Sequence, residues 1–320
     1  MIFFLGCDVS KHKLDVALVN EVGVELWVDQ VANEPLAIAN YLLAINGSLT
    51  GEDSLICVVE ATGIMHFALA EMCHQLNITC LVYNPIKTKA AITASVRGKK
   101  TDKTDAIIIA RIGMQGDCRP YVPEIYKTAK YYARGQQKLS QISSDLSRYE
   151  THLQSVLEDE LSITLKEMIA GIQTSIKAAR KQFIIETATS TPEGLMQRLQ
   201  TIPGVGPFVA ASIIGEVQDI KRFSSAKEFI AFTGFDPRVR QSGHSLNNMG
   251  RLSKRGSPHL RRSIFIAANV ARRYDPYFEA IYQKKRDEGK RYTVANIVVA
   301  RKLLKVIRCV WLEERNYKTA

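Results

Sequence analysis

The chain has 320 residues, of which 46% are hydrophobic, so it is long enough for two domains with real cores and too apolar to be disordered. Its net charge of +11 favours a polyanionic partner such as nucleic acid, although a merely solvated surface is the alternative and charge cannot separate DNA from RNA. No segment approaches the roughly 20 apolar residues of a membrane span, and Asp8 interrupts the short apolar opening, which excludes a signal peptide.

The first 115 residues alternate between strand-like and helix-like spacing of apolar side chains. Strands are predicted over residues 2–7, 14–19, 24–28, 55–59 and 78–83, helices over 34–45 and 64–76, and Asn84-Pro85 is predicted to open a further helix. Three successive strands followed by alternating helices and strands is the order of a ribonuclease H-like fold, although many α/β domains begin similarly. We therefore predict an α/β catalytic domain over residues 1–120.

Four acidic residues of this domain are candidates for metal binding. Asp8 and Glu60 each follow an apolar strand, and chemistry in α/β sheets commonly lies at the carboxyl ends of strands. Asp102 and Asp105 are three residues apart at the start of a predicted helix, so both can lie on one face. Together they could hold two divalent cations for phosphoryl transfer, with Mg²⁺ as the expected ion. Taken singly, each acid could instead cap a turn, complement a helix dipole or pair with a lysine.

The six cysteines show no CxxC pair and no spacing to histidine that would suggest zinc. Most of them lie in apolar stretches, as reduced core cysteines do. We therefore expect an intracellular, reducing compartment, the cytoplasm.

The segment 125–189 contains no proline and only two glycines, while apolar and charged residues recur at helical spacing. This predicts two or more long helices, a coiled-coil hairpin over residues 121–190, with an ordinary helix bundle as the alternative. Residues 190–194 then break the helix.

The third region, 191–320, is predicted to be mainly α-helical and is strongly basic. Residues 201–320 hold 23 Lys and Arg against 10 Asp and Glu, a net +13, whereas residues 1–200 carry −2. Two glycines, Gly204 and Gly206, lie in a short turn between apolar helices, which matches a helix-hairpin-helix that binds phosphate; a turn used only for packing is the alternative. The sequence has no GxxxxGK[ST] loop, so no nucleotide cofactor is expected.

A basic, glycine-rich stretch near residues 234–262 surrounds small hydroxyl residues with cations. Such a loop could present a nucleophile, Ser242, to a phosphodiester while neutralising its charge. Read alone, a serine before glycine is more often a turn residue, and His244 is more simply a loop histidine than its base. The cations predicted to bind nucleic acid are Arg238, Arg240, Arg251, Lys254, Arg255, Arg261 and Arg262.

Short motifs recur in a specific order along essentially the whole chain: Gly6-Cys7-Asp8-Val9-Ser10-Lys11, Glu60-Ala61-Thr62-Gly63, Asn84-Pro85, Lys100-Thr101-Asp102, Thr104-Asp105-Ala106, Pro203-Gly204-Val205-Gly206, Ser242-Gly243 and Ser253-Lys254-Arg255-Gly256. Each motif is common by itself, but their order and spacing resemble the DEDD transposases of the insertion-sequence family "one hundred and ten". That family includes bridge-RNA-guided recombinases and a pilin-gene DNA invertase.

The resemblance implies a RuvC-like catalytic domain, a coiled-coil insertion and a C-terminal transposase domain. The family's four metal-binding acids fall on Asp8, Glu60, Asp102 and Asp105, and its nucleophilic serine falls on Ser242, although Gln241 replaces the usual preceding acid. It also implies a phosphoseryl-DNA intermediate, a structured guide (bridge) RNA, and a homo-oligomer, a dimer or tetramer, in which different protomers complete one active site.

Three other functions are compatible with the same residues. A hydrolytic RuvC-type junction nuclease would use water in place of Ser242. A site-specific invertase of the pilin type would use the same chemistry at a fixed inversion site. A non-catalytic DNA-binding protein would need only the helical hairpin and the basic region.

Overall fold

A computed structural model describes residues 1–61, 63–83, 102–116, 118–153, 159–237, 252–254 and 256–318, without the side chains of residues 102, 103, 153 and 159. The chain forms two compact units, Met1–Pro123 and Glu124–Ala320. The first unit is α/β and the second is helical. The finer division at residues 120 and 190 stays a prediction.

In the described part of the first unit, six strands form one mixed sheet in the order β3-β2-β1-β4-β5-β6. Their bounds are β1 Ile2–Val9, β2 Lys13–Asn20, β3 Glu25–Ala32, β4 Ser54–Glu60, β5 Thr79–Tyr83 and β6 Arg119–Pro120. β1, β2 and β3 pair antiparallel, whereas β4 pairs parallel to both β1 and β5. The five predicted strands are confirmed, although β3 extends to Ala32; β6 has only two residues, too few for a readable pattern.

Helices cover both faces of this sheet. Their bounds are α1 Pro35–Ser48, α2 Phe67–Gln75 and α3 Asp102–Met114. α1 and α2 pack on the face of Leu5 and Cys57, and α3 packs on the face of Phe4 and Val58. The helix predicted over 64–76 is shorter, because residues 63–66 form turns before α2. The helix predicted to open at Asn84-Pro85 lies outside the described residues.

Four of the cysteines belong to one buried cluster under α2. Cys57 and Cys80 are register partners on β4 and β5, Cys7 lies on β1, and Cys73 lies on α2. All six cysteines of the chain are free thiols, which agrees with the expectation of reduced core cysteines. Burial raises the pKa of the Cys7 thiol well above its usual value, so this thiol stays protonated.

The second unit is built from helices. They are α4 Lys127–Leu153, α5 Asp159–Ser190, α6 Leu195–Gln200, α7 Pro207–Val217, α8 Ala226–Thr233, α9 Pro258–Tyr274, α10 Pro276–Asp287 and α11 Tyr292–Leu312, with a 3₁₀ turn at Ile220–Arg222. The two long helices predicted over 125–189 are confirmed as α4 and α5. Tyr132 stacks on Phe183 at 5.9 Å between them; regular coiled-coil packing stays a prediction.

The core of the second unit lies between the base of this hairpin and helices α6 to α11. Phe183, Phe229 and Leu303 are fully buried there. Arg134 of α4 donates to the Glu216 carboxylate of α7 at 2.8 Å, which fixes the hairpin base against the core. Within the described residues, no helix combines the length and apolar character that a membrane span requires.

Candidate active site

Asp8 and Glu60 stand at the carboxyl ends of two adjacent parallel strands. The last paired residues of β1 and β4 are Cys7 and Val59, so the two acids occupy the next position of the same register. Register partners point to the same face of a sheet, and neighbouring strands lie about 4.8 Å apart. The two carboxylates therefore share one face at one edge of the sheet.

α3 packs very closely on this same face. Gly6, two positions before Asp8 on β1, lies directly under the helix. A methyl group at Gly6 would overlap the Ala106 carbonyl oxygen and the Ala110 backbone nitrogen, so only glycine permits this approach. The contact fixes the height of α3 above β1.

The direction of α3 follows from the contact at its other end. Near the C-terminal end of α3, the Arg111 guanidinium donates to the Gly23 carbonyl at 3.2 Å. Gly23 lies in the turn after β2, and the end of β2 pairs with the start of β1, where Asn20 is the partner of Phe3. The first turn of α3 therefore lies toward the carboxyl end of β1, where Asp8 stands. Asp102 is the first residue of α3, and its side chain is outside the described part; Asp105, one turn into the helix, is half-buried.

Tyr83, at the end of β5, contacts the Glu60 carboxylate from the neighbouring strand. Tyr83 and Glu60 are register partners, and the buried phenol donates to Oε2 of Glu60 at 3.1 Å. Burial, followed by the charges of Glu60 and then Asp8, raises the pKa of Tyr83 well above its usual value, so the phenol remains a donor. The sequence analysis did not predict a role for Tyr83. The available signal was that one predicted strand ends in the aromatic Tyr83 and the predicted strand before it ends next to the acidic Glu60.

Asp15 is a second residue that the sequence analysis missed. It pairs directly with Asp8 across β1 and β2, and it is buried. Like charges opposite one another destabilise a sheet, but Lys13 forms an ion pair with Asp15 at 3.0 Å and Gln30 donates to it at 2.7 Å. The charge beside Asp8 is thereby largely compensated. An aspartate inside the apolar strand 13–20 was the available signal.

The donor set at this edge suits a hard divalent cation. Carboxylate oxygens are the ligands that Mg²⁺ prefers, and adjacent strand ends bring two carboxylates to the same edge of the sheet. Asp8 and Glu60 share one face and one edge of the sheet, and Asp105 lies in the first turn of α3. Within the described side chains, which exclude Asp102, no three His, Cys, Asp or Glu residues form a group that could hold a metal ion, so Asp8, Glu60 and Asp105 are not assembled into one. The four-ligand site therefore stays a prediction.

The second unit carries the flanks of the basic loop. Ser242, His244, Arg238, Arg240, Arg251 and Arg255 lie outside the described residues. Pro237 and Leu252 form an antiparallel bridge, the Ser253 amide donates to the Asp236 carbonyl at 2.8 Å, and the Ser253 hydroxyl donates to the Asp236 carboxylate. The residues before and after 238–251 are therefore held side by side.

The described cations near this loop differ in their surroundings. Lys254 and Arg262 are exposed, as a phosphate contact requires. Arg261 instead donates to the carbonyls of Thr233 at 3.2 Å and Gly256 at 3.3 Å, and burial lowers its pKa. Arg261 thus has a structural contact in the protein, and its predicted role with nucleic acid is untested.

The two glycines between α6 and α7 serve different purposes. Gly204 has a φ of +83°, and a side chain there would overlap the Ala267 carbonyl of α9, so packing alone requires this glycine. Gly206 is exposed, caps the start of α7 without a side chain and is followed by Pro207. Its backbone suits an anion, but phosphate binding stays a prediction.

Comparisons with known proteins match both units. A family model described as "Transposase IS116/IS110/IS902 family" matches residues 196–283, and an IS110-type DEDD transposase model matches residues 5–160. The "Pilin gene-inverting protein" of Moraxella lacunata is 27% identical over 98% of this chain and 97% of its own length. The "Transposase for insertion sequence element IS1328" of Yersinia enterocolitica is 40% identical over 74 residues, 23% of this chain and 22% of its own.

Among solved structures, Thermus thermophilus RuvC in complex with a Holliday junction is 14% identical to this chain. The alignment covers 38% of this chain and all of the RuvC chain, with a TM-score of 0.29.

Proposed function

The chain belongs to the IS110 family of transposases, and from that premise we propose that it cuts and rejoins DNA strands by phosphoryl transfer. In this proposal the metal ligands are Asp8, Glu60, Asp102 and Asp105, and Ser242 is the nucleophile. The observation that carries the proposal is the geometry of one sheet edge, where Asp8 and Glu60 stand side by side and the acidic start of α3 lies toward them.

A RuvC-like, ribonuclease H-like fold for the first unit forms part of this proposal. Three antiparallel strands followed by two parallel ones, in the order β3-β2-β1-β4-β5, is the arrangement expected from that fold. Helices on both faces leave the carboxyl edge of β1 and β4 as the place where side chains from several elements converge.

The carboxylates would hold divalent metal ions, which, when bound, polarise the scissile phosphate and stabilise the leaving oxygen. The protein's own contribution is to fix the carboxylates before DNA arrives. Asp8 and Glu60 are fixed by strand register, and Asp105 is fixed by the glycine contact that docks α3 on β1. Preorganisation of this kind is typical of sites for phosphoryl transfer.

Ser242 would supply the attacking oxygen in the strand-transfer step. Its hydroxyl loses a proton and bonds to phosphorus while the bond from phosphorus to a deoxyribose oxygen breaks, and that oxygen leaves as a hydroxyl. A strand hydroxyl later displaces the serine by the reverse exchange. One phosphodiester replaces another at each step, so no ATP is needed, consistent with the absence of a P-loop sequence.

The basic second unit would provide the grip on DNA. Arg301, Lys302 and Lys305 lie on consecutive turns of α11, are exposed, and pair with no carboxylate of the described residues. Uncompensated cations on one helix favour contact with phosphates, together with Lys254 and Arg262. A guide RNA and a homo-oligomer complete the proposal, and both rest on the family resemblance.

Formation of a covalent adduct tests the nucleophile directly. The substrate is a plasmid that carries this gene with its natural flanking DNA, linearised and then end-labelled. It is incubated with the protein, Mg²⁺ and RNA transcribed from the flanking DNA, and the mixture is then denatured. We expect a DNA-linked peptide phosphorylated at Ser242. Ser242→Ala should lose both the adduct and cleavage, because no other group replaces the attacking oxygen, whereas Ser245→Ala should retain both.

Two outcomes would contradict this assignment. Cleavage by Ser242→Ala at a comparable rate would favour the hydrolytic reading, in which water attacks. An adduct on Ser245 or Ser253 would identify a different nucleophile.

A second candidate function is site-specific inversion. The similarity to the pilin gene-inverting protein over 98% of this chain favours it. The same plasmid separates the two functions, because an invertase reverses a segment between fixed sites, whereas a transposase joins element ends to new DNA. Sequencing the product junctions distinguishes these results.

A further inference from the structure

Tyr83 is the side chain that reaches the candidate metal site from a third strand. Its hydroxyl lies 3.1 Å from Oε2 of Glu60, and the two residues are partners in the parallel pairing of β4 and β5. Only 5% of Tyr83 is exposed. A hydrogen bond made by so buried a phenol has a direction that the surrounding packing determines.

That packing is shared with α3. Tyr83 belongs to the cluster formed by Phe4, Val58, Ile109 and Ala110, which joins the sheet to the helix. The ring therefore packs in the cluster that joins the sheet to the second half of α3. By comparison, the Glu60 side chain has three rotatable bonds and is only half-buried, so a hydrogen bond from a buried donor restricts the orientation of its carboxylate.

We propose that Tyr83 is a positioning residue, whose hydroxyl fixes the Glu60 carboxylate in the orientation that a divalent cation requires. The inference rests on the proposed function, because it assumes that Glu60 is a metal ligand. Groups that hydrogen-bond to a metal-binding side chain fix its orientation, and losing one typically weakens metal affinity about 10- to 100-fold.

A simpler explanation is that the hydroxyl only finds a partner for itself at the end of β5. The two explanations differ in what happens to the metal. Under the simpler one, Tyr83→Phe changes stability alone; under the positioning role, it changes metal affinity through Glu60.

The test uses the full chain without DNA and Mn²⁺ as the probe, since free Mn²⁺ is counted by electron paramagnetic resonance. Tyr83→Phe removes one oxygen and keeps the ring. We expect its Kd for Mn²⁺ to rise about 10- to 100-fold. Tyr41→Phe is the matched control, because the Tyr41 hydroxyl accepts from Trp27 at 3.3 Å in the same unit; its Kd should equal that of the wild type.

A second comparison separates positioning from a general loss of structure. In a Glu60→Gln background the carboxylate is already absent, so adding Tyr83→Phe should change Mn²⁺ affinity no further. In strand cleavage, Tyr83→Phe should need more Mg²⁺ for half-maximal rate and approach the wild-type rate at saturation. Thermal unfolding of each variant confirms that it is folded.

Each outcome decides a different question. Equal Mn²⁺ affinity for Tyr83→Phe and wild type overturns the positioning role and leaves the proposed function standing. If the wild type has no Mn²⁺ site sensitive to Asp8→Asn, the metal site itself is wrong, and the role of Tyr83 is overturned with it. An equal further loss of Mn²⁺ affinity in the Glu60→Gln background shows that Tyr83 affects the metal by a route other than Glu60, and it overturns the positioning role.

Discussion

At the scale of single residues, the candidate site depends on a few side chains whose neighbours determine what they do. Asp8 lies between Glu60, its neighbour along the sheet edge, and Asp15, its direct partner on β2. Asp15 is compensated by Lys13, whereas Glu60 is contacted by the neutral phenol of Tyr83. Neighbouring acids at one edge of the sheet thus have different surroundings: Asp15 forms an ion pair with Lys13, and Glu60 accepts a hydrogen bond from a phenol.

Replacing Asp8 or Glu60 by alanine should abolish strand cleavage and leave most DNA binding intact. Each change removes a proposed metal ligand without altering the basic second unit. The measurements are adduct formation and DNA affinity by fluorescence anisotropy, with unfolding curves as a check on folding. We expect the same result for Asp102→Ala and Asp105→Ala. Full strand exchange by any two of these four variants would contradict the metal-site assignment.

At the scale of elements, the approach of α3 to β1 connects folding to the site. The backbone of α3 lies so close to Gly6 that it occupies the space where a side chain at this position would be. This contact holds the first turn of α3, with its acidic residues, at the edge where Asp8 stands. The geometry of the proposed site would therefore depend on Gly6, which has no side chain to take part in its chemistry.

Gly6→Ala should destabilise the first unit and weaken metal binding together. The added methyl meets backbone atoms of Ala106 and Ala110, which cannot rotate away, so α3 must shift; overpacking of this kind costs about 1–3 kcal/mol. Urea unfolding and Mn²⁺ affinity measure the two effects. Gly47→Ala is the matched control, because its site in α1 is open; it should be neutral or stabilising by about 0.5–1 kcal/mol. Unchanged Mn²⁺ affinity in Gly6→Ala would show that α3 does not set the site.

The predicted elements were recovered well because their apolar spacing is regular. Strands β1, β2, β4 and β5 and the long helices α4 and α5 follow directly from such spacing. The succession of strands and helices along the chain was predicted, and the sheet order, which the structure supplies, explains why Asp8 and Glu60 come together. The sequence offered a signal for Tyr83 and for Asp15, but not their partners, because those depend on the register between strands, which periodicity in one segment does not specify.

At the scale of the whole molecule, charge is divided unequally along the chain. Residues 201–320 carry +13 and residues 1–200 carry −2, so the proposed catalytic acids and the proposed DNA grip occupy different parts of the sequence. A neutral-to-acidic part that attracts cations and a basic part that attracts phosphates can be altered separately.

The affinity for DNA should therefore fall steeply as the salt concentration rises. The cations of α11 should account for part of the slope of log affinity against log salt concentration. Each phosphate contact contributes about 0.9 to the slope of log affinity against log salt. Changing Arg301, Lys302 and Lys305 together to glutamine should lower this slope. The same change at the exposed Lys166, Lys177 and Lys181 of α5 is the control for net charge and should have less effect. Binding that is flat between low and physiological salt would contradict a grip based on phosphates.

The buried thiols between the sheet and α2 can report local unfolding of the first unit. Cys7, Cys57 and Cys73 are fully buried, so an alkylating reagent reaches them only when the sheet separates from the helix above it. Their labelling rate is then the reagent's intrinsic rate multiplied by the opening equilibrium, as in native-state hydrogen exchange. The half-buried Cys118 and Cys309 do not share this protection. The alkylation rate of these native thiols therefore measures the local stability of the sheet beneath the candidate site, and no reporter residue has to be introduced by mutation.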